Sequence, residues 1–258
     1  MVDYIANLAV KAGSRIGRGY YDNVQTGKRF GKSLVETIQK LDRTPIITEV
    51  KFASPSAGKI REPEDPVRIA MEMLKGGACA ISVVTDPEDF HGNLDTLATL
   101  SRVVNVPLVM KDIVVSPVQV QAAARAGARA VVLISELFSR RLTAEPLDRL
   151  VREASRLGLE VILEANSPDE FGKLPEHEPD LYGINNRNLS TFKLDLSTTE
   201  RVLAMNGRVD RPIVSESGIA HPRDVARLKN AGANAFLVGT SIMKSSNVES
   251  KVRELVNA

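Results

Sequence analysis

The sequence predicts a (β/α)8 barrel carrying an N-terminal helical extension. Short runs of apolar and β-branched residues recur along the chain, each followed by an amphipathic stretch of helical length. That alternation implies parallel strands joined by crossover helices. Eight such runs occur, at a spacing of roughly 25 to 30 residues, which is one βα unit with its loops. A weak internal repeat agrees with the count: Gly76-Gly77-Ala78, Ala126-Gly127-Ala128 and Ala231-Gly232-Ala233 each lie just before a run, where a glycine can end one helix and turn the chain into the next strand.

Residues 1–44 precede the first strand and place Ile5, Leu8 and Ala12, then Leu34, Ile38 and Leu41, at helical spacing. They are expected to cap one end of the barrel. The strands are then predicted at 45–51, 78–85, 107–112, 128–135, 159–166, 181–187, 212–217 and 234–240. Proline and glycine fall at turns with no low-complexity linker, so residues 1–258 are expected to form one domain. The segment FASPSAGKIREPEDP (52–66) has the composition and length of a loop that folds over a ligand.

Bulk properties narrow the function classes. The formal charge is +2, from 34 basic and 32 acidic residues without a basic run, which leaves no footprint for nucleic acid or a membrane surface. Cys79 is the only cysteine, so neither a disulfide framework nor a cysteine-based metal site is available, and a reducing cytoplasm is expected. The N-terminus lacks the apolar core of a signal peptide, and about 20 consecutive apolar residues occur nowhere. His91, His177 and His221 are isolated in loop-like sequence and form no metal-ligand pattern. No Gly-x-Gly-x-x-Gly motif follows a strand, so no dinucleotide cofactor is indicated.

The chemistry is written at the strand ends. Barrel strands are buried on both faces, so charge at their C-terminal ends requires internal pairing or a ligand. Strand one ends with Glu49 and Lys51, two residues apart and so on one face. Strand three ends with Lys111-Asp112, strand five with Glu164, strand six with Asn185 and Arg187, and strand seven with Glu216-Ser217. All converge on one mouth, which suits general acid–base work. Ser217-Gly218-Ile219 after strand seven and Gly239-Thr240-Ser241 after strand eight provide glycine turns at the usual phosphate position of such barrels. Ser54 is a candidate donor to an anionic group as well as a turn residue. Phe90 either lines the pocket or packs beneath its loop.

These residues resemble indole-3-glycerol phosphate synthases, the ring-closing enzymes of tryptophan biosynthesis, over essentially the whole chain. The likeness rests on Glu49-Val-Lys51, Ser54-Pro55-Ser56-Ala57-Gly58, Thr85-Asp86-Pro87 with Phe90 and Gly92, and Met110-Lys111-Asp112. It continues through Glu164 and Asn166, Gly183-Ile184-Asn185-Asn186-Arg187-Asn188-Leu189, Ser215-Glu216-Ser217-Gly218-Ile219 and Val238-Gly239-Thr240-Ser241. Three places depart from the commoner pattern: Ile113 stands where an aromatic residue is frequent, Asn186 and Asn188 replace Ser or Thr and Asp, and Thr240 replaces Ser.

The resemblance implies a substrate, 1-(2-carboxyphenylamino)-1-deoxyribulose 5-phosphate, that closes its ring with loss of CO2 and water, without a cofactor or metal. It implies a catalytic set of Lys111, Glu164, Lys51, Glu49, Asn185 and Ser217. Ser54, Phe90, Arg187, Leu189 and Glu216 would bind substrate, and Gly218, Gly239 and Thr240 would hold its phosphate. The only expected partner is this phosphorylated small molecule, and the chain is expected to be a monomer. Two other readings compete: a phosphate-binding barrel isomerase, whose acid–base pair would more often include Asp or Cys, and a catalytically silent barrel, which would need the phosphate loops but not Glu49, Lys51, Lys111 and Glu164 together.

Overall fold

The computed structural model describes residues 3–29, 31–207 and 209–258; Met1, Val2 and Phe30 of the predicted extension lie outside them, as does Arg208. Eight parallel strands close into a barrel: β1 (Ile46–Val50), β2 (Ala80–Val84), β3 (Leu108–Lys111), β4 (Ala130–Ile134), β5 (Glu160–Ala165), β6 (Leu181–Asn185), β7 (Ile213–Glu216) and β8 (Ala235–Val238). Neighbours follow chain order around the ring, and β1 closes it by pairing Ile46, Ile47 and Thr48 with Phe236, Leu237 and Val238 of β8. Each strand lies inside its predicted run. Lys51, Arg187 and Ser217, expected within strands, instead open the loops, because ladder pairing stops at Val50, Asn185 and Glu216.

Helices cross over between the strands, among them Pro66–Gly76, Pro117–Arg125 and Pro222–Ala231. Each of these starts with proline at its first position, where the missing N–H costs nothing. Gly77 and Gly232 terminate two of them in the left-handed conformation, as the repeat suggested.

The two-residue period of the strands builds the interior in layers. On β1, β3, β5 and β7 an apolar residue faces inward two positions before a charged one: Ile47 then Glu49, Val109 then Lys111, Ile162 then Glu164, Val214 then Glu216. The barrel floor is therefore a dry plug and the mouth is an ionic layer resting on it. A larger apolar layer packs the outer strand faces against the crossover helices.

The extension departs from expectation, because it covers both ends of the barrel. Helix α1 (Tyr4–Gly17) lies at the mouth, where Ile5, Leu8, Ala9 and Ala12 pack with Ile113, Val115, Ile134 and Leu137. Helix α2 (Leu34–Gln39) seals the base, with Leu34 and Ile38 in the floor cluster. Glu160, at the start of β5, accepts from the Leu34 and Val35 amides at 2.6 and 3.2 Å, placing a carboxylate on the positive end of α2.

Candidate active site

A cavity of about 360 Å³ opens at the C-terminal ends of the strands. Every predicted site residue lines it: Glu49, Lys51, Ser54, Phe90, Lys111, Glu164, Asn185, Arg187, Leu189, Glu216, Ser217, Gly218, Gly239 and Thr240. The centre is Lys111. Its Nζ lies 3.1 Å from Glu164 Oε2 and 2.7 Å from Glu216 Oε2, with the side chain 23% exposed to the cavity. Asn185 Nδ2 donates to Glu164 Oε1 at 2.8 Å, so both oxygens of Glu164 are fixed. Lys51 pairs with Glu49 as a second acid–base couple.

Three carboxylates against two ammonium groups leave this cluster with one surplus negative charge, and the protonation states respond to it. Burial alone would push the Lys111 ammonium down, but Glu164, Glu216 and Glu49 outweigh burial and hold it well above the ordinary lysine range. Burial would push the Glu49 carboxyl up, yet Lys51 and Lys111 hold it below the ordinary glutamate value. Glu216 goes the other way: burial, with Glu164 adding to it, prevails over Lys111 and raises it to about 7. Its Oε1 has no hydrogen-bond partner among the described residues and faces Gly183, where an added Cβ would sit 2.9 Å away.

A pH dependence follows from Glu216. The unfolded chain releases this proton near 4.5 and the folded chain only near 7, so its contribution to stability is full below 4.5 and is lost as pH rises towards 7. Denaturant unfolding at pH 5, 6 and 8 should show wild type losing stability relative to Glu216→Gln across that window. Parallel curves for the two proteins would refute this.

The loops after β7 and β8 meet beside the ionic layer. Ser217 and Gly218 are both left-handed, with φ of 68° and 82°, and the serine holds this conformation at a cost of about 1 kcal/mol or more. Ser241 Oγ donates to Ile219 O at 2.9 Å and ties the two turns together. Gly239 has a steric reason, since a Cβ there would lie 2.5 Å from Glu49 Oε1. The predicted covering loop begins with a small hairpin pairing Ala53–Ser54 with Gly58–Lys59, and Arg61 fastens it to the carbonyls of Met243 and Ser245 at 3.1 and 2.9 Å. Ser54 Oγ accepts from the Ala57 amide at 3.3 Å, which leaves its hydroxyl hydrogen for another acceptor.

A model of indole-3-glycerol phosphate synthase matches residues 16–255. The chain belongs to the indole-3-glycerol phosphate synthase family. It is 42% identical over 215 residues to the indole-3-glycerol phosphate synthase of Rhodopirellula baltica, covering 83% of this chain and 81% of that one. It is 39% identical over 226 residues to the synthase of Shouchella clausii, covering 87% of each. The fold also resembles the N-acetylmannosamine-6-phosphate 2-epimerase of Clostridium perfringens, with TM-score 0.64 over 84% of this chain and 93% of that one, at 13% identity. That last likeness concerns architecture alone. The synthases are carboxy-lyases of tryptophan biosynthesis that act on a phosphorylated small molecule.

The departures from the synthase pattern have structural readings. Ile113 lines the cavity as an aliphatic residue; aromatic rings elsewhere in the lining include Phe192, which meets Tyr4 of α1 edge-on at 4.4 Å between centroids. Phe90 and Leu189 line the cavity and also pack against the cluster around α1. Asn186 is a brace. Its Nδ2 donates to Ser215 Oγ, Glu216 O and Ser217 O at 3.1, 2.9 and 3.2 Å, while its Oδ1 accepts from the amide and hydroxyl of Thr199 at 3.1 and 2.9 Å. Asn186→Ala should therefore cost about 2–3 kcal/mol and lower Tm by several degrees, through buried groups left unpaired. An unchanged thermal midpoint would show that the brace is dispensable.

Sequence reasoning overlooked Tyr4, Phe192, Leu194 and Lys244, which also line the cavity. Neither Lys244 nor Arg187 is ion-paired with a carboxylate among the described residues; the Arg187 guanidinium donates only to Phe192 O, at 3.2 Å, while its amide donates to Asn185 Oδ1 at 2.9 Å, and burial pushes the guanidinium below the ordinary value. Both cations are placed to receive anions. The signal for Lys244 lay in its position five residues past Gly239, at the end of the short helix Thr240–Met243.

Proposed function

We propose that this synthase closes the indole ring with Lys111 as general acid and the flanking carboxylates as its proton partners. The observation that carries this reading is the Lys111 ammonium held between Glu164 and Glu216 on the floor of the cavity. Attack of the carboxylate-bearing ring carbon on the ketone of 1-(2-carboxyphenylamino)-1-deoxyribulose 5-phosphate forms a C–C bond and puts negative charge on the ketone oxygen. An ammonium beside that oxygen lowers the barrier and supplies its proton. CO2 then leaves and returns its electron pair to the ring. The new hydroxyl next departs as water, which takes a second proton, while a proton is lost from the carbon beside nitrogen.

Two protonations and one deprotonation match the two ion pairs present. Lys111 with Glu164 serves the ring closure, and Glu164 receives the proton lost on dehydration. Lys51, oriented by Glu49, protonates the departing hydroxyl. Asn185 holds Glu164 and the substrate hydroxyl, and Ser217 closes the wall beside Glu216. Ser54 and Arg187 receive the carboxylate, Phe90 and Leu189 contact the aryl ring, and Gly218, Gly239 and Thr240 cradle the phosphate with Lys244 beside them. The protein acts as a one-domain monomer in a reducing cytoplasm, the compartment in which its lone buried cysteine stays a free thiol.

Mixing purified protein with this substrate and following indole absorbance and fluorescence tests the reading. The chain contains no tryptophan, so its own background is low. Saturable binding without an indole signal would overturn it.

A further inference from the structure

We propose that Arg15 and Tyr21, contributed by the N-terminal extension, are positioning residues for Lys111 that act through Asp112. All three are buried, Arg15 to 1% exposure. Asp112 is the next residue after Lys111, and every acceptor site of its carboxylate is occupied. Oδ1 takes the Ile113 amide at 2.7 Å and Arg15 Nη2 at 3.4 Å, and Oδ2 takes Thr85 Oγ1 at 2.6 Å and the Tyr21 hydroxyl at 3.0 Å.

The surroundings make this a rigid frame. Arg15 Nη2 also meets Asp86 Oδ2 at 2.9 Å, so one guanidinium bridges the ends of β2 and β3. Gln119 Nε2 donates to the Tyr21 hydroxyl at 3.1 Å and to Ile113 O at 2.8 Å, and its Oε1 accepts from the Val115 amide at 2.8 Å. Thr85, which already holds Asp112 through its hydroxyl, also donates its amide to Lys111 O at 3.1 Å. The backbone that carries Lys111 is thus held at its own carbonyl and through Asp112 and Ile113 beyond it, in a dry setting where such bonds are strong. A general acid displaced by about 1 Å loses on the order of 10²-fold in rate. A barrel strand end needs no such frame for its own pairing; the ladder already stops at Lys111.

The inference rests on Lys111 being the general acid, and the experiment separates the two claims. Steady-state kinetics on wild type, Lys111→Ala, Tyr21→Phe, Arg15→Met and Arg15→Lys would be compared with Glu160→Gln, which loosens α2 at the opposite end of the barrel. We expect Tyr21→Phe to lower kcat about 5–10-fold and Arg15→Met about 10²-fold, each with KM within about twofold of wild type, and Arg15→Lys to restore most of kcat. Glu160→Gln should lower Tm and leave kcat alone. If Arg15→Met does not fold, Tyr21→Phe, which removes a single oxygen atom, carries the test. Wild-type kcat in folded Tyr21→Phe, or an equal loss of kcat in Glu160→Gln, overturns the positioning role. Full activity in Lys111→Ala would instead overturn the assignment of the general acid.

Discussion

Lys111→Ala lowers kcat for indole formation by about 10²-fold or more while KM changes little. The expectation follows from what the ammonium touches. It is the only side chain bonded to both Glu164 and Glu216 among the described residues, and no other cation lies within salt-bridge distance of either. Removal therefore takes away the proton donor and also leaves two buried carboxylates facing each other without a counter-charge, which raises their proton affinity. The lost charge does not sit in the phosphate loops or beside Arg187, so substrate affinity is largely retained. Lys111→Arg would keep the charge but replace a compact ammonium by a larger planar guanidinium that cannot sit between Glu164 and Glu216 with the same atom facing the substrate, so it should remain nearly as impaired as the alanine variant. Stopped-flow measurement of indole fluorescence under single-turnover conditions checks both. Turnover within threefold of wild type in Lys111→Ala would remove this residue from the acid role.

How much of this was legible in the sequence depends on whether the information is local. The strands were, because an apolar residue two positions before a charged one is a pattern within one segment, and it recurs at Ile47–Glu49, Val109–Lys111, Ile162–Glu164 and Val214–Glu216. The convergence of the charged members on one cavity then follows from barrel geometry. The extension was not, since helical periodicity shows that Leu8 and Leu34 are buried but not at which end of a barrel. Arg15 is the sharpest case. A lone arginine in an amphipathic helix reads as solvated, and its burial is decided by Asp86 and Asp112, which lie 71 and 97 residues away in the chain. Asn186 similarly looked like a mere departure from a family motif until its partners on Thr199 and β7 were in view. Phe192 lines the cavity and packs on Tyr4, 188 residues away in the chain, a contact that no single motif records.

Glu164→Gln should be comparably damaging, by about 10²–10⁴-fold in kcat, for a reason distinct from that for Lys111. The substitution preserves shape and side-chain length, so packing on β5 is undisturbed. It changes the hydrogen-bond arithmetic. Glu164 accepts from Asn185 at Oε1 and from Lys111 at Oε2; the ammonium can only donate, and Asn185 could turn its own oxygen there only by giving up the Arg187 amide, which Oδ1 accepts at 2.9 Å. A glutamine offers one oxygen and one NH2 group, so one contact becomes donor against donor and either Asn185 or Lys111 must move. The variant also lacks a base to accept the proton lost on dehydration. The two losses separate in time: the initial ring closure, driven by Lys111, should be slowed less than the dehydration that follows. Rapid quenching of the Glu164→Gln reaction with analysis for a decarboxylated, still hydroxylated intermediate is therefore the informative measurement. Accumulation of that species places Glu164 in the dehydration step. Normal product formation at the wild-type rate would mean that the carboxylate only anchors Lys111, with Glu216 sufficient to hold it.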